Sequence, residues 1–380
     1  MMNIFRLICV GALLPFMMLS CSNFLDITPE GQTKKDDLLS TPSGVEDALY
    51  GVYSQLRLEA LYGQELSFSS LEVMAQYLDC YGSDGVTALS NYRYDDSRVK
   101  DVFEAVWTQM YKNISNVNAV LQCEIVKGAT DYPGTIYKGE ALGLRAFMHF
   151  DLLRIFSEQI TQNPEAEGIP YATEFSLNTP SFQPAKKVYE LILGDLLEAE
   201  RLLTDEKQYE GSTAFMTDRK IHFNLHAVRA TLARVYLTMG DKDNALIYAQ
   251  KVIDESGRRL SEKTEVVGDL AGVLSNNETI FGVYYAEFYS LVSPKLQKTV
   301  SFSSLDPRKD IMDFYEADVV GLDFRAAAYL TAVGADSRVG YRLSKLTDSY
   351  ELENKEAERP VDKVLGINMI RLPEMYYIAA

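Results

Sequence analysis

The sequence of 380 residues predicts a mainly α-helical fold, and three observations carry that prediction. Apolar residues recur at three- and four-residue steps in successive segments between residues 43 and 260. Asn224–Asp254 reads as two helices closed by a tight corner. A β-branched, aromatic run does not arrive until Glu278, and the residues beyond it keep no regular period. The expected architecture is helical hairpins stacked on one another, supporting a more irregular part with a few short strands.

At the start, Arg6 precedes an apolar run, Leu7–Leu19, that is too short to span a bilayer and has the form of a signal h-region. The run ends at Leu19-Ser20-Cys21, small residues and then a cysteine, as in a lipobox, with Met18 where Leu is usual. Residues 1–20 are expected to be removed, and Cys21 to carry lipid; a plain secretory leader with an incidental cysteine is the alternative. Each buried methylene of an acyl chain stabilises membrane attachment by about 0.8 kcal/mol, and two chains hold a protein stably. Residues 21–42 are polar and turn-rich, a tether to the anchor.

Ser43-Gly44-Val45-Glu46 then has the form of a capping box, with Val45, Ala48, Leu49, Val52, Tyr53 and Leu56 on one helical face. Glu65–Leu78 is expected to be a second helix. Cys80–Ser97 breaks the pattern with the turn formers Gly82, Gly85, Asn91 and Asp95-Asp96. A long helix over about Val99–Val126 carries Trp107, Tyr111, Ile114 and Asn118. Tyr137–Phe156 and Pro184–Leu203 are the next helices, the latter opened by a proline where helix starts tolerate one.

In Asn224–Asp254, Leu225, Val228, Leu232, Val235 and Met239 share one face, and Gly240 can take the left-handed conformation that ends a helix. Asp241 can cap the next helix, which continues with Ala245, Ala249 and Val252. Small Ala233 and Ala245 allow close backbone approach, with Tyr236 and Tyr248 beside them. This spacing resembles a tetratricopeptide (TPR) repeat. One such hairpin cannot bury its own apolar face, so neighbours must stack on it. Beyond it, Glu278–Tyr285 suits a strand, Asp310–Tyr315 a helical segment, and Leu322–Glu358 loop with short strands. Ile367–Ala380 is expected to open a final helix with Pro373 in its first turn.

A net charge of −17 argues against nucleic acid as a partner, because phosphates require a basic surface. Of the four cysteines, Cys9 leaves with the leader and Cys21 carries lipid. Cys80 and Cys123 remain, and free, buried thiols are favoured over a disulfide. His222 and His226 are four apart, but no HExxH pattern or third ligand accompanies them, and no metal or other cofactor is expected. Glu140 with Arg145, and Arg371 with Glu374, are read as structural pairs or caps within the helices.

Several segments together resemble the SusD/RagB family of outer-membrane lipoproteins. The first are Cys21 followed by Phe24-Leu25-Asp26 and Pro29, then Ala48–Tyr53, then Trp107 with Tyr111, Ile114, Asn116 and Asn118. Glu140-Ala141, Arg145-Ala146, Phe150–Leu152 and Gly168-Ile169-Pro170 come next. Val188-Tyr189 with Asp195-Leu196 and Ala199, Ala233–Leu237 with Gly240 and Ala245, Asp323–Arg325 and Arg371–Tyr376 complete the series. Their order along nearly the whole chain carries the resemblance. It implies TPR-like helical hairpins over residues 43–260 supporting a more irregular ligand-binding region over residues 261–380. Members of the family usually continue past the segment resembling Arg371–Ala380, so this region is expected to be incomplete, and Ile367–Ala380 to be marginally ordered.

The resemblance further implies a non-enzymatic surface lipoprotein, anchored in outer-membrane lipid through acylated Cys21. Such a protein captures glycans and passes them to a SusC-like, TonB-dependent transporter. The alternative is a TPR-like lipoprotein that binds peptide or protein. Twenty-four tyrosines against one tryptophan suit surfaces that stack and hydrogen-bond at once, although most are expected to pack helices. A sugar ring has an apolar face and polar edges, which a tyrosine with a nearby Arg or Asn can match. The candidate contacts are Tyr81, Asn91, Tyr92, Arg93 and Tyr94, with Tyr285 and Tyr289 as a second group.

Overall fold

The structure is a computed structural model. It describes residues 35–80, 85–178, 180–268, 274, 277–288, 291–292, 306–307, 310–315, 323–333, 340–343 and 366–380. The leader, Cys21, and most of the tether lie outside the described residues, as do Tyr81, Tyr289 and much of Leu322–Glu358.

The helices are α1 (Lys35–Leu38), α2 (Pro42–Leu56), α3 (Ser70–Met74), α4 (Gly85–Ser90), α5 (Ser97–Gln122), α6 (Glu124–Lys127) and α7 (Gly134–Phe156). They continue as α8 (Ala185–Leu203), α9 (Leu225–Met239), α10 (Lys242–Glu255), α11 (Lys263–Gly268), α12 (Phe324–Tyr329) and α13 (Leu372–Ala379). Each long helix packs on the next: α2 on α5, α5 on α7, α7 on α8, α8 on α9, α9 on α10 and α10 on α13. This is the stacked-hairpin arrangement read from the sequence. In its clearest unit, Gly240 closes α9 at φ +79, Asp241 accepts from the Asn244 N–H at 3.1 Å, and the Tyr236 and Tyr248 rings stack at 5.6 Å.

Several expected boundaries move. The cap of α2 is Thr41 rather than Ser43, because Pro42 presets the first helical φ and the Thr41 hydroxyl accepts from Gly44 N–H at 3.1 Å. The expected helix Glu65–Leu78 shrinks to α3: the Ser67 hydroxyl bonds the Tyr62 carbonyl at 2.5 Å and Ser70 bonds Glu65, which favours turns over helix. The break at Cys80–Ser97 contains α4.

Two-stranded pieces edge the stack. β1 (Leu78–Asp79) pairs with β5 (Asp306–Pro307), β2 (Glu167–Pro170) with β3 (Phe182–Pro184), β4 (Thr279–Tyr284) with β8 (Gly366–Arg371), and β6 (Leu330–Val333) with β7 (Gly340–Leu343), all antiparallel. The expected final helix is therefore a strand and then a helix, turning at Leu372-Pro373. The segment expected to be marginally ordered is packed against the stack. Leu372 and Met375 are fully buried, the Leu372 N–H donates to the Glu278 carbonyl at 2.8 Å, and α13 lies against α9 and α10. Cys80 and Cys123 are free thiols, half-buried rather than buried.

Helix α7 is the centre. Every residue from Gly139 to Leu153 is buried, so it faces neighbours on all sides. Glycines admit those neighbours: a Cβ at Gly143 would lie 2.5 Å from the Phe223 ring, and one at Gly139 would lie 2.6 Å from Leu203 Cγ. Burial of its polar side chains requires partners. Glu140 accepts from the Tyr53 hydroxyl at 2.7 Å, and its other oxygen lies 2.6 Å from Arg219 Nη1, an ion pair out of line for a hydrogen bond. Arg219 also donates to Glu206 at 2.7 Å, and Glu206 accepts from Leu225 N–H. Burial alone would raise the Glu140 pKa, but Arg219 and His222 overcome it and hold the carboxylate at about 2.

These charges take partners other than their neighbours in sequence. Glu140 does not pair with Arg145: the two are five residues apart and point to different sides of α7. Arg145 instead forms a bidentate pair with Asp195 of α8, at 2.7 and 2.8 Å, and donates to Asn118 Oδ1 at 3.0 Å. Nor does Arg371 pair with Glu374. Arg371 pairs with Glu278, and Glu374 with Arg234 at 2.5 Å, because the turn from β8 into α13 sends them apart. His149 donates from Nδ1 to the Arg145 carbonyl at 2.9 Å and accepts the Ala172 N–H on Nε2 at 3.0 Å. The ring is neutral: burial, with the charge of Arg145, lowers its pKa to about 3.

This interior can be probed in two ways. Glu140→Gln should destabilise the fold by about 3 kcal/mol, read as a lower urea midpoint, because it leaves Arg219 under-compensated; a midpoint equal to wild type would show that Glu206 alone suffices. His149 titrates near 6.5 when unfolded and about 3 when folded, so the unfolded chain binds the extra proton between those values. Its stabilisation is complete above pH ~6.5 and is lost as pH falls toward about 3, at up to about 1.4 kcal/mol per pH unit. Denaturation midpoints at pH 7, 6 and 5 should fall in that order, and a flat series would mean that the folded imidazole accepts a proton.

Candidate functional site

Asn91–Asp96 form the turn between α4 and α5. Its backbone is wound tightly: Tyr92 N–H donates to Leu89 at 2.8 Å, Arg93 N–H to Ala88 at 3.0 Å and Tyr94 N–H to Tyr92 at 3.0 Å. Tyr92 sits at φ +55, a left-handed conformation uncommon for a bulky residue. Asp96 ends the turn as the cap of α5, accepting from Arg98 N–H at 3.0 Å and pairing with Arg98 at 2.8 Å and Arg93 at 3.5 Å. The hydrogen bonds from Arg98 hold the Asp96 carboxyl at about 2.

This geometry pushes two tyrosines outward. Tyr92 and Tyr94 are 49% and 48% exposed, with ring centroids 6.4 Å apart. Asn91 donates to the Thr87 carbonyl at 2.7 Å, and Arg93 is exposed. The structure thus brings Asn91, Tyr92, Arg93 and Tyr94 together on one surface turn. Tyr285 belongs to another setting: half-buried, with the Arg57 guanidinium 5.2 Å over its ring and Phe288 at 6.0 Å. His222 lies before the cap of α9 rather than on it, among Tyr53, Phe215 and Glu140, so it shares no helix face with His226.

A cleft of about 1070 Å³ lies between the α3 segment and the β8–α13 segment, and its described lining includes Met74 but no residue of the turn. The Tyr92 hydroxyl donates to the carbonyl of Met74, a wall residue, at 2.9 Å. Tyr77 and Phe314 are an exposed aromatic pair of the lining, edge to face at 6.4 Å and 48% and 57% exposed. Deeper, the Tyr62 hydroxyl donates to Asp151 at 2.5 Å, and Asp151 pairs with Arg154. Arg234, Arg371 and Arg325 are the other described cations of the lining. Aromatic surface interleaved with polar donors and acceptors suits a ligand with apolar faces and hydroxyl edges.

Sequence reasoning missed this cleft. Its walls come from segments near both ends of the described chain, and no local spacing joins them. The one available signal was the density of aromatics at Tyr62, Phe68 and Tyr77, ahead of the turn.

Comparison with known proteins agrees with the fold. The family described as starch-binding and associating with the outer membrane, a SusD-like family, matches residues 23–237, more than half of the chain. The SusD-like protein P2 of Formosa agariphila is 24% identical over 280 residues, which is 70% of this chain and 50% of that one. The chain therefore spans about half the length of that curated relative. A SusD superfamily structure from Bacteroides thetaiotaomicron superposes with a TM-score of 0.69 at 20% identity, covering 91% of this chain and 75% of its own. A SusD-like carbohydrate-binding protein from Bacteroides vulgatus gives 0.67 at 21%, covering 89% and 70%. A laminarin-binding SusD-like protein gives 0.65 at 20%, covering 89% and 79%. The stacked hairpins are thus those of a known fold, and the chain belongs to the SusD-like family.

Proposed function

We propose that this chain is a glycan-binding lipoprotein of the outer-membrane surface. It takes up an oligosaccharide in the cleft, against the tyrosines of the Asn91–Asp96 turn, and passes it to a SusC-like, TonB-dependent transporter. Acylated Cys21 holds it at the membrane, and it acts by binding rather than by catalysis. The carrying observation is a cleft of about 1070 Å³ lined by exposed Tyr77 and Phe314, with one lining residue, Met74, hydrogen-bonded to Tyr92 of the neighbouring turn and its two exposed tyrosines. Membership of a family described as starch-binding supports a sugar over a peptide, and the laminarin-binding neighbour adds β-glucans to the ligands worth testing.

Removing both rings of the turn should cost roughly 1–2 kcal/mol of ring contact, about fivefold to thirtyfold in Kd. Calorimetric titration of Tyr92→Ala/Tyr94→Ala against malto- and laminari-oligosaccharides, with a thermal melt as a folding control, checks this. Binding equal to wild type would rule the turn out. For the anchor, labelling cells with a clickable palmitate should mark the wild-type chain and not Cys21→Ser. An unlabelled wild-type chain would leave only a plain secretory leader. A barrel transporter should also co-purify from detergent-solubilised membranes with the tagged chain, and its absence would argue for a stand-alone binder.

A further inference from the structure

We infer that the cleft selects uncharged glycans and rejects those carrying uronate or sulfate groups. The inference rests on the glycan reading above and narrows its ligand class. Among the described lining residues the cations are Arg154, Arg234, Arg325 and Arg371, and each is already matched to a carboxylate. Arg154 pairs with Asp151, and its guanidinium also lies over the Phe150 ring at 4.5 Å. Arg234 is held at both ends of its fork by Glu374, at 2.5 and 2.6 Å, with a further bond to the Met369 carbonyl at 3.0 Å. Arg371 pairs with Glu278, and Arg325 with Asp323 at 2.5 Å.

An anionic sugar entering here would have to displace a carboxylate from a formed pair, and would meet that carboxylate's charge at close range. The whole molecule adds to the barrier, since a net charge of −17 repels anions before they reach the cleft. A neutral sugar meets neither cost. Its hydroxyls both donate and accept, so they can use the outer lone pairs of paired carboxylates and the spare N–H groups of paired arginines. Its apolar ring faces can lie on Tyr77 and Phe314.

The test uses the full chain at physiological ionic strength. Neutral malto- and laminari-oligosaccharides are titrated beside oligogalacturonides and sulfated laminarin-oligosaccharides of equal length. The expected result is at least tenfold weaker binding of the anionic series. Glu374→Gln, which keeps the side chain's shape and leaves Arg234 uncompensated, should narrow that gap several-fold. Tyr77→Ala should weaken the neutral series. Anionic sugars that bind as well as neutral ones would overturn the selectivity while leaving glycan capture intact. Neutral binding untouched by Tyr77→Ala would also overturn it, by moving the ligand out of the cleft. Failure of both series to bind would overturn the glycan reading itself.

Discussion

The structure depends on satisfying the polar side chains buried on one helix. Gly134–Phe156 has neighbours on every side, yet it carries Glu140, Arg145, His149 and Asp151 inward. Each finds its partner on a different element: Glu140 on the first long helix and the Arg219 turn, Arg145 on Asp195, His149 on the chain after Pro170, Asp151 on Tyr62. Unpaired, each of these groups would carry a desolvation cost of roughly 1–3 kcal/mol, more where it is charged. The pairings therefore specify which neighbour sits where, a registration that non-directional apolar packing cannot supply by itself.

The same interior positions the site. Asp151 belongs both to the central helix and to the wall of the cleft. Arg234, from the regular hairpin, reaches across to Glu374 and to the Met369 carbonyl, drawing the last strand and helix against the stack. The opposite wall is set by turns around Tyr62–Met74, to which the Tyr92 hydroxyl is tied. Rigid helices thus fix the backs of both walls, and the aromatic residues that face solvent are carried on short segments between them.

The fold is legible in the sequence where the signal is local. The Asn224–Asp254 hairpin, with its left-handed Gly240 and its Asp241 cap, is written in consecutive residues, and it folds as written. Local patterns mislead where a neighbour decides the outcome. Gly366–Arg371 looks helical in isolation but is drawn into a strand by Thr279–Tyr284. Glu140 and Arg145 look like partners because they are near in sequence, whereas helical rotation separates them and three-dimensional neighbours claim each. The exposed turn at Asn91–Tyr94 can be found from its composition. The cleft cannot, because Tyr77 and Phe314 are far apart in sequence and meet only in the folded chain.

The separation of those two rings in sequence sets what the cleft costs to form. Bringing together walls drawn from the early turns and from the final strand and helix means closing a very long loop, and the entropy of that closure must be met before the contact returns anything. The hairpins rest on contacts local in sequence, whereas the wall built by Gly366–Arg371 rests on its long-range pairing with Thr279–Tyr284. An extended chain therefore has no such cavity: it exists only once residues far apart in sequence have been brought together.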